Sequence, residues 1–254
     1  MDTGKVSQFL SELFNQKISI AKVLRVEGSG ANKAYHYVAE TSEGERYGLK
    51  ATDGTKTLRG VNKEKLIWDI ASILEAPHSC EAHLTKGLNW MDSLNEKDII
   101  VTHWLKRGKT LREMNNAEMQ AIEGPNFWNQ VGEWLLFGLA FGIADRHLDN
   151  WVWSHELQKL AMIDTEMSFQ TNLGLSDYAA LFHHAPKLRE TWDMHPETRK
   201  NTQAFQNVIS GKLKMNKKIR ENLNEIKKSL KEKGYSDYSS PWLEKSDEEI
   251  QSSL

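Results

Sequence analysis

Apolar residues recur along the chain with two periods, and the change between them marks its elements. Phe9, Leu10, Leu13 and Phe14 fall at helical spacing and predict an amphipathic helix over residues 5–17. From residue 19 the period shortens towards two. Residues 19–27, 34–40 and 46–50 read as three strands of a β-meander, separated by a turn at 27–32 and another through Gly44. Helical spacing returns over 61–75, where Val61, Leu66, Ile67, Ile70 and Leu74 share a side. Residues 76–97 carry no clear period and read as a loop. Residues 98–105 form an apolar run of the buried-strand kind, and the polar Lys106–Thr110 follows. Two helices are expected at 110–120 and 126–141, broken by Gly124 and Pro125. In the second, Val131, Trp134, Leu135, Gly138, Leu139 and Gly142 keep helical spacing, which makes it a core helix leading into Asp145. Residues 151–153 and 160–163 are β-prone, and the polar SHELQK between them reads as a hairpin loop. Beyond these, 187–210 suggest one or two helices. Residues 216–233 predict one clear helix, with Ile219, Leu223, Ile226 and Leu230 aligned and lysines on its other faces. The tail from Gly234 is Ser-rich and acidic. Pro241, Trp242 and Leu243 are its expected anchor, and SDEEIQSSL reads as disordered. There are no internal repeats.

Composition narrows the class. The 254 residues are 39% hydrophobic and 27% charged, the values of an ordinary soluble protein with a substantial core. A net charge of −2 gives no global pull towards nucleic acid, and no nucleic-acid partner is expected. The longest apolar stretch, near 131–144, is interrupted by Glu133 and falls short of the roughly 20 residues a membrane span requires. The first seventeen residues lack the apolar core of a secretory signal. The single cysteine, Cys80, excludes an intramolecular disulfide and a cysteine-rich zinc site, so a reducing, cytoplasmic setting is expected. His78, Cys80 and His83 lie close in sequence but lack a clear fourth ligand, and a structural loop is preferred to a metal site there. The nine tryptophans point to large packing anchors.

The chemistry concentrates in residues 141–169. Asn150 follows Asp145 by five positions, and Asp164 follows Asn150 by fourteen, with the two β-prone segments between them. Asn150 and Asp164 should therefore stand at neighbouring ends of a short β-ribbon. Phosphoryl transfer uses such a set: one carboxylate to orient the attacking hydroxyl, and a carboxylate and an amide oxygen to hold magnesium against nucleotide phosphates. Mg²⁺ is a hard cation that takes oxygen ligands.

The motif D-R-H-x-x-N followed by I-D resembles that of the atypical kinases: the phosphatidylinositol 3- and 4-kinases, the actin-fragmin kinase and the HipA-like bacterial kinases. D-R-H stands where protein kinases have H-R-D, and D-T-E stands in place of D-F-G. The resemblance covers about thirty central residues. It implies an α+β, two-lobed protein-kinase-like fold with a small β-rich N-lobe and a helical C-lobe. The divisions would be an N-terminal helix at 1–18, the N-lobe at 19–107, the C-lobe at 108–233 and a tail at 234–254.

The resemblance also assigns roles. Asp145 would orient the hydroxyl, with His147 near the transferred phosphate, and Asn150 and Asp164 would be the metal ligands. Lys50, ending the third strand, would contact the α- and β-phosphates. Glu64 is either its ion-pair partner or a solvated acid favoured by the helix dipole. The turn Gly28-Ser29-Gly30 would cover the phosphates with backbone N–H groups. Trp104 and Leu105 are either walls of the adenine pocket or ordinary core. Arg146 would pair with an acid, Asp149 would face solvent or support the loop, and Glu166 would touch the metal's surroundings or cap the next segment. The implied activity uses ATP and Mg²⁺ to transfer the γ-phosphoryl group to a protein Ser/Thr hydroxyl. A phosphoinositide kinase is one alternative, with the basic helix at 216–233 on an anionic membrane surface. A small-molecule kinase or a nucleotidyl transferase on the same fold is a second, and a pseudokinase acting as a binding module is a third. The sequence leaves the acceptor and the oligomeric state open.

Overall fold

A computed structural model describes residues 1–27, 35–51, 60–78, 80–91, 94–144, 147–163, 165, 168–170, 173, 190, 194, 198 and 202–253. It is a mixed α/β structure built on an antiparallel five-stranded sheet, a three-stranded sheet and a set of helices. Helix α1 (Thr3–Leu13) starts where the Asp2 carboxylate accepts from the N–H groups of Gly4 and Lys5. It stops four residues short of the expected end, because Phe14 caps it and Asn15 turns left-handed at φ 49°.

The strands β1 (Ile20–Glu27), β2 (Tyr35–Thr41) and β3 (Arg46–Ala51) form the expected meander. The sheet is completed by β4 (Glu81–Lys86) and β5 (Asp98–His103), in the order β1-β2-β3-β5-β4. β4 replaces part of the expected loop at 76–97. It is an edge strand with only Ala82 buried, so its alternation in the sequence is faint. Helix α2 (Val61–Ile73) follows β3. β6 (Gly108–Thr110) was not expected either; it is three residues long and polar, too short to show a period. It pairs with β7 (Trp151–Ser154), which pairs with β8 (Lys159–Met162), so the expected ribbon is part of a three-stranded sheet.

The helix expected over 110–120 is divided. A capping box of Thr110 and Glu113 opens a 3-10 turn, and a second box of Asn115 and Glu118 opens α3 (Asn116–Ile122). Helix α4 (Pro125–Ala140) is buried along nearly its whole length. It packs on α5 (Gln203–Glu221) backbone against backbone. A Cβ on Gly132 would stand 2.0 Å from the Val208 carbonyl oxygen, and one on Gly211 would stand 1.9 Å from that of Asn129. The single helix expected over 216–233 breaks at Asn222, which ends α5 and begins α6 (Leu223–Glu232). The tail is held at its expected anchor, whereas residues 246–253, expected to be disordered, are structured. Leu243 is buried, and α7 (Asp247–Gln251) carries a Ser246–Glu249 capping box, a buried Ile250 and an ion pair in which Arg220 Nη2 donates to both carboxylate oxygens of Asp247.

Two apolar clusters make the core. The smaller joins α1 to one face of the five-stranded sheet through Phe9, Leu10, Phe14, Tyr47, Leu49 and Val101. The larger runs from Val61 to Ile250 and takes in α2, Ile100 and Leu105 together with α4, β7, β8 and α5. Trp68 of α2 meets Trp134 of α4 edge to face at 6.5 Å. Among the described residues, no helix is long and apolar enough to cross a membrane.

Candidate active site

Antiparallel register places Lys50 opposite Ile100 and Gly48 opposite Thr102. Alternation then sends all four towards one face of the five-stranded sheet. α2 lies across that face. Its Val61, Glu64, Trp68 and Ala71 fall at helical spacing and are all buried. The Lys50 Nζ stands 3.5 Å from the Glu64 Oε2, and both side chains are 5% exposed.

The pair opens on a narrow cleft walled by Gly48, Ile100 and Thr102 of the sheet and by Trp68 of α2. Trp104, after β5, and Ile163, after β8, complete the walls. The Trp104 indole donates its Nε1–H to the Thr102 Oγ1 at 2.9 Å and lies over Gly48, where a Cβ would stand 2.8 Å from that nitrogen. Gly48 is thus a site residue that the sequence reading missed. A glycine inside a strand, which marks a close approach, was the available signal. Leu105, by contrast, is buried in the larger core.

Asn150 ends a 3-10 turn (Leu148–Asn150) and is 3% exposed. Its carbonyl accepts the Ile163 N–H at 2.8 Å, so it stands across the ribbon end from the residue that precedes Asp164. Ile163 also walls the cleft, which brings the Asn150 end of the ribbon to the Lys50–Glu64 face. His147 is about half-exposed, with Nδ1 3.4 Å from the Asp149 Oδ2. Arg112 donates to that same oxygen at 2.7 Å, so Asp149 supports the turn. Asp145, Arg146, Asp164, Glu166, Gly28, Ser29 and Gly30 lie outside the described residues.

Asn150 is a buried residue with an amide oxygen, the kind of ligand that a hard cation takes. Among the described residues there is no group of three His, Cys, Asp or Glu side chains able to hold a metal. Mg²⁺ needs no such cage, since it keeps water and phosphate oxygens and takes one or two protein ligands.

These features define a narrow cleft with largely apolar walls and a buried Lys50–Glu64 ion pair on its lining. No protein-family model and no curated protein matches the chain. Among solved structures it is similar to the FAT and kinase domain of CtTel1, at 11% identity and a TM-score of 0.39, over 91% of this chain and 21% of that one. It is also similar to the open conformation of CtTel1, at 11% identity and a TM-score of 0.32, over 87% and 13%. The chain spans about a fifth or less of the length of those chains.

Proposed function

We propose that the protein is an ATP- and Mg²⁺-dependent phosphotransferase of the atypical kinase kind, passing the γ-phosphoryl group to a protein hydroxyl. The observation that carries this reading is the buried Lys50–Glu64 pair facing the cleft. Taking two charges out of water is costly, and a buried ion pair is weak support for stability. A site that must meet a polyanion gives the pair a use: the glutamate holds the lysine at a fixed point, and the lysine offsets phosphate charge as the transition state forms.

The apolar walls Ile100, Trp104 and Ile163 would shield the base from water. Asn150 and Asp164 would hold Mg²⁺, which when bound neutralises phosphate oxygens and fixes their geometry. Asp145, with His147, would position the acceptor hydroxyl and take up its proton. The new bond joins the acceptor oxygen to the γ-phosphorus, the β–γ bridging bond breaks, and ADP leaves with that electron pair. The proposed division has 19–107 as the nucleotide-covering part and 108–233 as the part that carries the acceptor.

The test is incubation with γ-labelled ATP and Mg²⁺, using the protein itself, lysate proteins and phosphoinositide vesicles as acceptors. Label is expected in protein, and Lys50→Met and Asp164→Ala should each lower it at least about a hundredfold while the fold persists. Label confined to lipid would make the enzyme a phosphoinositide kinase. Bound ATP with no transfer to any acceptor would leave a binding module.

A further inference from the structure

We infer that residues 235–242 are a positioning element of the catalytic site, clamping together the two stretches of chain that lead to Asp145 and away from Asp164. The inference rests on the phosphotransferase reading. It begins with the end of α4. A helix leaves its last four carbonyls without intrahelical partners. Here the Phe141 N–H serves Phe137 and the Ile143 N–H serves Gly138. The Leu139 carbonyl accepts the Gly142 N–H at 3.4 Å and also the Ser240 hydroxyl, from a hundred residues away, at 3.2 Å, while the Ala140 carbonyl is met by the Tyr238 hydroxyl at 2.9 Å. Burial raises the pKa of the Tyr238 phenol, which keeps it a donor.

The stretch after Asp164 is tied to the same place. The Phe169 N–H donates to the Phe141 carbonyl at 2.8 Å, and the Gln170 N–H donates to that of Gly142 at 2.9 Å. The approach is close enough that a Cβ on Gly142 would stand 2.0 Å from the Gln170 carbonyl oxygen. Phe169 itself has φ 60°, a region that a bulky residue rarely occupies and that persists only where surroundings enforce it. The surroundings are aromatic. The Phe169 ring lies 4.5 Å from that of Tyr235 and 5.0 Å from that of Tyr238, which meets it edge-on. Tyr238 therefore acts at both places, with its ring on Phe169 and its hydroxyl on α4.

Gly142 precedes Asp145 by three residues, and Phe169 follows Asp164 by five. Short tethers of this length pass a displacement on to the aspartates, and misplacing a reacting group by about 1 Å can cost roughly a hundredfold in rate. Tyr238 and Phe169 touch no substrate in this scheme; they act through the aspartates.

The test uses the full chain with Tyr238→Phe, which deletes only the hydroxyl, and Tyr238→Ala, which also removes the ring. Amide hydrogen exchange is read beside steady-state kinetics. In Tyr238→Phe, exchange at Phe169 and Gln170 should quicken about tenfold, the loss of one net hydrogen bond, with β3 and β5 unchanged. The kcat should fall about tenfold while the KM for ATP stays within about twofold. Tyr238→Ala should exceed it in both readouts. Unchanged exchange in both variants would overturn the clamp. Faster exchange with an unchanged kcat would overturn the positioning role. If the parent protein transfers no phosphoryl group, the functional reading fails and the positioning role falls with it, whereas exchange still decides whether the clamp exists.

Discussion

Lys50 and Glu64 carry the residue-scale argument, and they can be tested without any knowledge of the acceptor. Removing one member of a buried pair strands the other's charge. Glu64→Ala should therefore lower stability by about 3–5 kcal/mol in urea unfolding. Lys50→Met combined with Glu64→Leu should recover most of that loss, because apolar replacement of both partners is often neutral, yet it should stay inactive. A double variant as unstable as the single would show that the pair is not the relevant interaction. Much of this pair was readable in advance. A lysine ending a third strand and an acid early in the next helix are visible in the sequence, and Glu64 shares a helical face with Val61 and Trp68. The strand register that brings Gly48 under Trp104 was not readable, because nothing local fixes which strand β3 pairs with on its far side. That neighbour is β5, some fifty residues on.

At the scale of elements, legibility followed burial. α2, α4, β5 and β7 each bury several apolar side chains, and their periods stand out. β4 and β6 do not, and the break at Asn222 is made by one residue that serves as both a cap and a start. The docking of α7 on α5 was also hidden, since it depends on polar contacts. Asn216 and Arg220 reach Asp247, and the fully buried Lys212 donates to Ser253 and to the Ile250 carbonyl at the end of α7. Burial, and then repulsion from Lys245, push the Lys212 ammonium down to about 7 from 10.5. Between those values the unfolded chain holds the proton and the folded chain does not, so stability rises with pH across that window and is lost as pH falls towards 7. Lys212→Met should accordingly stabilise the protein by about 1–4 kcal/mol near pH 6 and by much less near pH 10, read from urea midpoints. A gain independent of pH would mean that Lys212 keeps its charge when buried.

For the whole molecule, apolar packing runs across Gly108, near which the motif-based reading puts a lobe boundary. α2 buries Trp68 and Ile70 in the larger cluster. Its end is also tied to α5: Lys218 donates to the Glu75 carbonyl at 2.5 Å and pairs at 3.2 Å with Glu133, which Lys214 pairs with at 2.8 Å. A fragment of residues 1–107 should for this reason fail to fold alone and give collapsed, poorly dispersed amide spectra. A cooperative thermal transition from that fragment would show instead that the sheet and α2 suffice. The same burial of Trp68 against Trp134 has a consequence on the ribosome. The tryptophan of α4 is made 66 residues after that of α2. At about 5–20 residues per second, the Trp68 indole waits roughly 3–13 s for its contact with Trp134. During that interval one edge of the Trp68 indole stays uncovered, so the contact between α2 and α4 closes only after the chain up to residue 134 has been made.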